Sequence, residues 1–90
     1  MNKGDLINKV AESAGISKAQ ATTAVNSVFD TITETLKAGD KAAFVGFGTF
    51  SVNHRAARKG RNPATGATID IAAKNLAKFK AGKELTQSLN

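Results

Sequence analysis

Cysteine, tryptophan and tyrosine are absent from the 90 residues, and proline, histidine and methionine occur once each. Without thiols there can be no disulfide, and one imidazole alone cannot complete the four-ligand set of a protein-only zinc site. No cofactor is expected. A chain this short, lacking either staple, depends on its own core or on a partner subunit. That core is thin, because the 41% of apolar residues are rich in alanine and include only five phenylalanines. Long apolar runs are missing as well. The longest, "AAFV" at 42–45, is far too short for a membrane span, and the opening "MNKGDLINKV" lacks the apolar stretch of a secretory signal. The expectation is one soluble, intracellular domain over residues 1–90, with oligomerisation as the remaining source of stability.

Acidic residues are scarce in one half only. Residues 1–50 hold Lys3, Lys9, Lys18, Lys37 and Lys41 against Asp5, Glu12, Asp30, Glu34 and Asp40. Residues 51–90 hold eight basic side chains against Asp70 and Glu84, so the net charge of +6 sits entirely in the second half. Such an asymmetry points to a polyanionic partner, a nucleic acid or an anionic membrane surface.

The first 39 residues read as a helical hairpin. Leu6, Ile7, Val10, Ala11 and Ala14 recur at helical spacing, with Asn2 placed as N-cap and Gly15 as the stop. Ser17 and Gln20 have the spacing of a capping box, Ile16 and Ala21 that of a hydrophobic staple. Ala21, Val25, Val28, Phe29, Ile32 and Leu36 then continue one apolar face to Gly39. Beyond residue 40 the period changes. "KAAFVGFGTFSVNHR" predicts two strands joined by a glycine turn, "ATIDIAA" a returning strand, "KNLAKFK" a further short strand and "GKELTQSLN" a terminal helix. Phe44, Phe47 and Phe50 are expected in the core, part of which belongs to a subunit interface.

The segment "RAARKGRNPATG", residues 55–66, has four basic side chains in its first seven positions and no large apolar one. "NPATG" is turn chemistry, so its flanks predict an antiparallel ribbon with no apolar face. At about 3.3 Å per residue, Arg55 to Arg61 spans roughly 23 Å, enough to follow a groove of duplex DNA. Pro63 at the tip lacks an N–H and carries a compact apolar ring, which suits a turn and also a wedge between base pairs.

"VGFGTFSVNHRAARKGRNPATG", followed by "IDIAAKN" and "FKAGK", resembles the bacterial HU family of nucleoid DNA-binding proteins, related to integration host factor, over the whole chain. The resemblance implies an α+β fold: an intertwined dimer whose base is the helical hairpin of residues 1–39. Residues 40–90 then supply a three-stranded antiparallel sheet per subunit, a DNA-binding β-arm at about 53–74 and a short C-terminal helix. It implies that Arg55, Arg58, Lys59, Arg61 and Asn62 line the arm, that Pro63 inserts between base pairs, and that Lys3 and Lys83 hold phosphates on the body. Phe29, Phe47, Phe50 and Phe79 are the expected dimer core. The implied partner is double-stranded DNA, gripped through the minor groove and bent, with preference for bent, nicked or gapped forms. The implied setting is the nucleoid in the bacterial cytoplasm, with a homodimer or a heterodimer with a paralogue both open. Three positions depart from the family pattern: Asn53 where a basic residue is common, Ala77 where proline is common, and Asn26 where an acid is common. The last is expected to leave Lys3 freer to reach DNA.

Enzymatic chemistry is not expected. His54 reads as an exposed residue at the arm root, Asp30 and Glu34 as a solvated helix face, and "GFG" as a turn rather than a phosphate cradle. The alternatives are a sequence-selective DNA bender like integration host factor and, in another class, a basic protein for RNA or anionic surfaces. RNA is permitted as a further partner because phosphate contacts are shared; no membrane partner is expected.

Overall fold

A computed structural model of the chain describes residues 1–90. Both helix starts carry the reciprocal caps that the sequence calls for. Asn2 Oδ1 accepts from the Asp5 N–H at 2.9 Å while the Asp5 carboxylate accepts from the Asn2 N–H at 3.1 Å, opening α1 (Lys3–Ala14). Ser17 Oγ accepts from the Gln20 N–H at 3.1 Å and Gln20 Oε1 from the Ser17 N–H at 3.0 Å, opening α2 (Lys18–Lys37). Two N–H groups are satisfied at each helix start, which lets the chain restart a helix after a three-residue break. Ile7, Ala21 and Val25 are buried between the helices, with Leu6, Val10, Ala11 and Ile16 packed around them.

The strands follow as β1 (Ala42–Phe44), β2 (Gly48–Arg55), β3 (Arg58–Arg61), β4 (Thr68–Ile71) and β5 (Lys74–Ala81), and α3 (Lys83–Ser88) ends the chain. Two antiparallel sheets form, β1-β2-β5 and the ribbon β3-β4. The α+β architecture expected from the sequence is therefore present. One strand differs in length: "KNLAKFK" is not a short strand but most of the eight-residue β5, which pairs with β2 over its whole length from Gly48↔Ala81 to Arg55↔Lys74. Ala77, where a proline would break the ladder, pairs with Val52 and lets β5 run uninterrupted.

Alternation along the paired strands sorts the sheet into two faces. Ala42, Phe44, Gly48, Phe50, Val52, Ala77, Phe79 and Ala81 share one of them by register. It turns toward α2, where Phe44 shares a groove with Val28 and Ile32, and Val52 one with Leu36. Phe50 and Phe79 meet at a tilt with centroids 4.8 Å apart, Phe47 reaches Phe79 at 5.5 Å, and Phe44 meets Phe50 edge-on at 6.2 Å. Gly48 is required beneath this cluster. A Cβ there would come within 2.5 Å of the Phe79 ring and 2.7 Å of the Lys80 carbonyl oxygen.

Burial is sparse, with only five residues buried: Ile7, Ala21, Val25, Ala42 and Gly48. The chain exposes 7149 Å², against roughly 5,000 Å² for a compact monomer of its mass. Its radius of gyration is 18.7 Å and its longest extent 58 Å, where a compact chain of this length has a radius near about 12 Å. Two features account for the excess: a projecting ribbon and a half-covered aromatic face. No helix is long and apolar enough to cross a membrane.

Candidate nucleic-acid interface

The ribbon leaves the body at a break in the ladder. Arg55↔Lys74 is the last pair of the body sheet and Arg58↔Ile71 the first of the ribbon, with the same register on both sides. Ala56, Ala57, Ala72 and Ala73 fill the gap. Four short side chains cannot bridge the strands, so the two ladders are joined by backbone alone.

Within the ribbon the register sets two faces. Lys59↔Asp70 and Arg61↔Thr68 form one; Arg58↔Ile71 and Gly60↔Ile69 form the other. The second corrects the expectation of a ribbon with no apolar face. A Cβ on Gly60 would lie 2.7 Å from Ile71 Cδ1 and 3.5 Å from Ile69 Cγ1, so both isoleucines fold over the glycine. The sequence reading weighed the basic first strand and overlooked that Ile69 and Ile71 of the return strand alternate onto one side. Across the other face Lys59 Nζ meets Asp70 Oδ1 at 2.6 Å, with both side chains mostly exposed.

At the tip, the Asn62 N–H donates to the Ala67 carbonyl at 2.8 Å and the Gly66 N–H to the Asn62 carbonyl at 2.7 Å. The side-chain oxygen of Asn62 accepts from the Ala64 N–H at 2.9 Å, an Asx turn that encloses Pro63. Asn62 thus shapes the tip, leaving its amide nitrogen as the group free to donate outward. Pro63 stands exposed at the start of the turn.

Other expected site residues stand on the body. Lys3 begins α1 and is exposed, with its ammonium 5.9 Å from the centroid of the Phe29 ring. Lys83 is the first residue of α3, directly after the sheet. Phe47, Phe50 and Phe79 gather in one cluster, whereas Phe29 lies apart on α2 beneath Lys3. Their exposures of 49% for Phe47, 44% for Phe29 and 40% for Phe79 leave this apolar surface uncovered in a single chain. His54 is exposed at the arm root, as expected, with Nδ1 2.7 Å from Asn75 Oδ1.

Three cations not singled out from the sequence, Lys74, Lys78 and Lys80, stand with Arg55 on the other sheet face. Arg55, Lys74, Lys78 and Lys80 share it by register, interleaved with Thr49, Ser51 and Asn53, and all four cations are exposed. Arg55 and Lys74 are directly opposed, an arrangement that repels unless an anion lies between them. The signal was available: "KNLAKFK" has lysines at its first, fifth and seventh positions, which a period of two places on one side. One continuous basic surface therefore runs from the sheet onto the ribbon, with Asp70 as the sole acid on the ribbon.

Comparison with known proteins agrees with this geometry. A family model described as "Bacterial DNA-binding protein" matches residues 1–90. The chain is 55% identical over 89 residues to DNA-binding protein HU of Geobacillus stearothermophilus, covering 99% of each chain. It is equally 55% identical to DNA-binding protein HU 1 of Bacillus subtilis, covering 99% of this chain and 97% of that one. Among solved structures it is similar to an Anabaena HU–DNA cocrystal structure, with a TM-score of 0.87 at 42% identity over 99% of this chain and 97% of that chain. HU from Thermotoga maritima superposes with a TM-score of 0.70 at 31% identity over both whole chains. Caps, sheet, ribbon and full-length similarity converge: the chain belongs to the HU family of bacterial DNA-binding proteins.

Proposed function

We propose that the protein is an architectural DNA-binding protein that grips double-stranded DNA with its ribbon arms, bends it and holds the flanks on the basic sheet face and body. The observation that carries this reading is the projecting ribbon, with Arg55 at its root, Arg58, Lys59 and Arg61 along its first strand and exposed Pro63 at its tip. Arginine suits the strongly negative minor groove. Apolar side chains wedged between base steps kink the duplex in minor-groove architectural proteins, a group of which HU is itself a standard member. Pro63 is the wedge. The amide of Asn62 and the four cations line the groove, and Lys3, Lys83, Lys74, Lys78 and Lys80 take the phosphates of DNA bent toward the body.

Affinity in this scheme comes from counterion release and carries no base readout. A dimer neutralising on the order of eight phosphates has a log–log salt slope near about −7. Unstacking is the opposing term, so DNA that is already nicked, gapped or bent binds more tightly. The setting that fits is the bacterial nucleoid, and RNA competes only through phosphate contacts. The working unit is a dimer, for which the half-exposed Phe29, Phe47 and Phe79 supply the contact surface. Catalysis has no part in this reading.

Gel mobility of intact, nicked and four-way DNA with the native protein and Pro63→Ala tests it. The native protein prefers the nicked and four-way forms and bends the intact duplex. Pro63→Ala retains most of the electrostatic affinity and loses both the bend and the preference. Equal binding of intact and nicked duplexes by the native protein removes the wedge; absence of duplex binding removes the reading.

A further inference from the structure

The alanine gap at the arm root is a break in backbone hydrogen bonding as well as in side-chain size. None of the N–H or carbonyl groups of Ala56, Ala57, Ala72 and Ala73 is bonded to another backbone group, so these exposed groups turn to water or to a ligand. The break also shifts the phase of the ladder. On the body side the Gly82 N–H donates to the Phe47 carbonyl at 2.8 Å. With the register unbroken from Gly48↔Ala81, the hydrogen-bonded pairs are then Thr49↔Lys80 and every second pair after it, ending at Arg55↔Lys74. On the tip side the Asn62 N–H donates to the Ala67 carbonyl. Alternation back through Arg61↔Thr68 makes Gly60↔Ile69 and Arg58↔Ile71 the bonded pairs of the ribbon. An unbroken ladder would have given that role to Lys59↔Asp70.

Bonded pairs present their side chains on one face, because bonding and pleat share a period of two. The slip of one residue therefore carries Arg58 and Ile71 onto the face of Arg55 and Lys74. There, Arg55, Ala56 and Arg58 from one strand and Ile71, Ala72 and Lys74 from the other line a single notch of about 410 Å³. It has room for a phosphate group together with waters of about 30 Å³ each. Three exposed cations edge the notch and no carboxylate does. Asp70, the acid closest in sequence, lines a different groove and is bonded to Lys59. The like charges repel across the notch until an anion enters it.

We propose that this notch is a phosphate site placed at a hinge: one phosphate group, held by Arg55 and Lys74 from the body and Arg58 from the ribbon, spans the alanine gap and fixes the direction of the arm. Two of the three cations belong to one ladder and the third to the other, so occupancy ties together two units that the backbone alone connects. The inference rests on the proposed DNA-binding function and deepens it. The arm is loosely aimed in the free protein and becomes set when a phosphate of the bent duplex seats at its root.

The test follows the backbone amides of the intact protein by NMR during two titrations at constant ionic strength, one with inorganic phosphate replacing chloride and one with a nicked duplex. Phosphate is expected to shift the amides of Ala56, Ala57, Ala72 and Ala73 saturably. Ribbon order parameters are expected to rise from below about 0.6 toward about 0.85. Duplex is expected to shift the same four amides. A response to both probes shows a site open to free anions, and a response to duplex alone shows one that accepts only a phosphate of the DNA backbone; either supports the hinge site. Lys74→Gln and Lys78→Gln each remove one cation from the same sheet face, and each lowers the log–log salt slope of duplex binding by about 0.9 per arm. Only Lys74→Gln is expected to abolish the alanine shifts or weaken the phosphate response by about tenfold, the worth of one charge-assisted contact. Duplex binding by the native protein with the four alanine amides unmoved, or equal effects of the two variants on those amides, overturns the notch and leaves the broader function standing. Failure of the native protein to bind duplex overturns both.

Discussion

Lys59 and Asp70 illustrate how a single residue trades one property against another. Their side chains are 75% and 81% exposed, so the 2.6 Å pair contributes little to folding, within about 0–1 kcal/mol and toward the lower end because of solvent screening. Its consequence is for binding, since Asp70 neutralises one of the four arm cations and repels phosphate. Asp70→Asn is expected to leave the unfolding free energy unchanged within about 0.5 kcal/mol. The salt slope is expected to steepen by up to about 0.9 per arm as Lys59 becomes free for a phosphate. Urea titration and fluorescence anisotropy across a salt series separate the two quantities. At this scale the exposed, basic ribbon and its turn at Pro63 were legible in the sequence, because a dense run of like charge with turn residues and no core former has few structural uses. Lys74, Lys78 and Lys80 were not singled out. Their meaning depends on β5 being one continuous strand opposite Arg55, a tertiary pairing that no local pattern states.

Elements obey the same division between local and non-local information. The two helices were readable to within a residue or so because their limits are set by short-range chemistry: Asn2 with Asp5, Ser17 with Gln20, and Gly15 with φ 66°. Ser17→Ala removes one half of the second box and is expected to cost about 1 kcal/mol, measurable by urea unfolding. The apolar face of the ribbon was missed for the opposite reason: Ile69 and Ile71 acquire their partner, Gly60, only through register. That register makes two glycine substitutions unequal. Gly48→Ala drives a methyl group against the Phe79 ring and the Lys80 carbonyl oxygen, at 2.5 and 2.7 Å. The carbonyl belongs to the ladder and cannot swing away, so a loss of about 1–3 kcal/mol is expected. In Gly60→Ala the nearest atom is Ile71 Cδ1, the end of a flexible side chain on an exposed ribbon. Global stability is therefore expected to stay within about 0.5 kcal/mol. Thermal unfolding of both variants beside the native protein checks the contrast, and equal losses would contradict the packing described for β2 and β5.

The whole molecule raises the question of how so little buried surface holds a fold. The exposed area exceeds that of a compact chain by roughly 2,000 Å², more than the roughly 800 Å² that each partner buries in a standard interface. Part of this excess belongs to the ribbon, but Phe29, Phe47, Phe79 and Val28 are half-exposed on the body, where solvation of an arm explains nothing. A second copy applied to this face would complete the core, turning two marginal hairpin-and-sheet units into one stable body. Folding and association then become one equilibrium, and the midpoint of thermal unfolding rises with protein concentration. Sedimentation of the protein alone is expected to give twice the mass of the 9.3 kDa chain, which makes the unit a homodimer without any paralogue. Phe47→Asp places a carboxylate in the contact and is expected to shift sedimentation toward the single chain, lower the unfolding midpoint and weaken duplex binding, because two arms on one rigid base lose their effective concentration when the base divides. A native protein that sediments as one chain and unfolds at a midpoint independent of concentration would show that the aromatic face is stable in water, and the two-armed grip on DNA would have no structural basis.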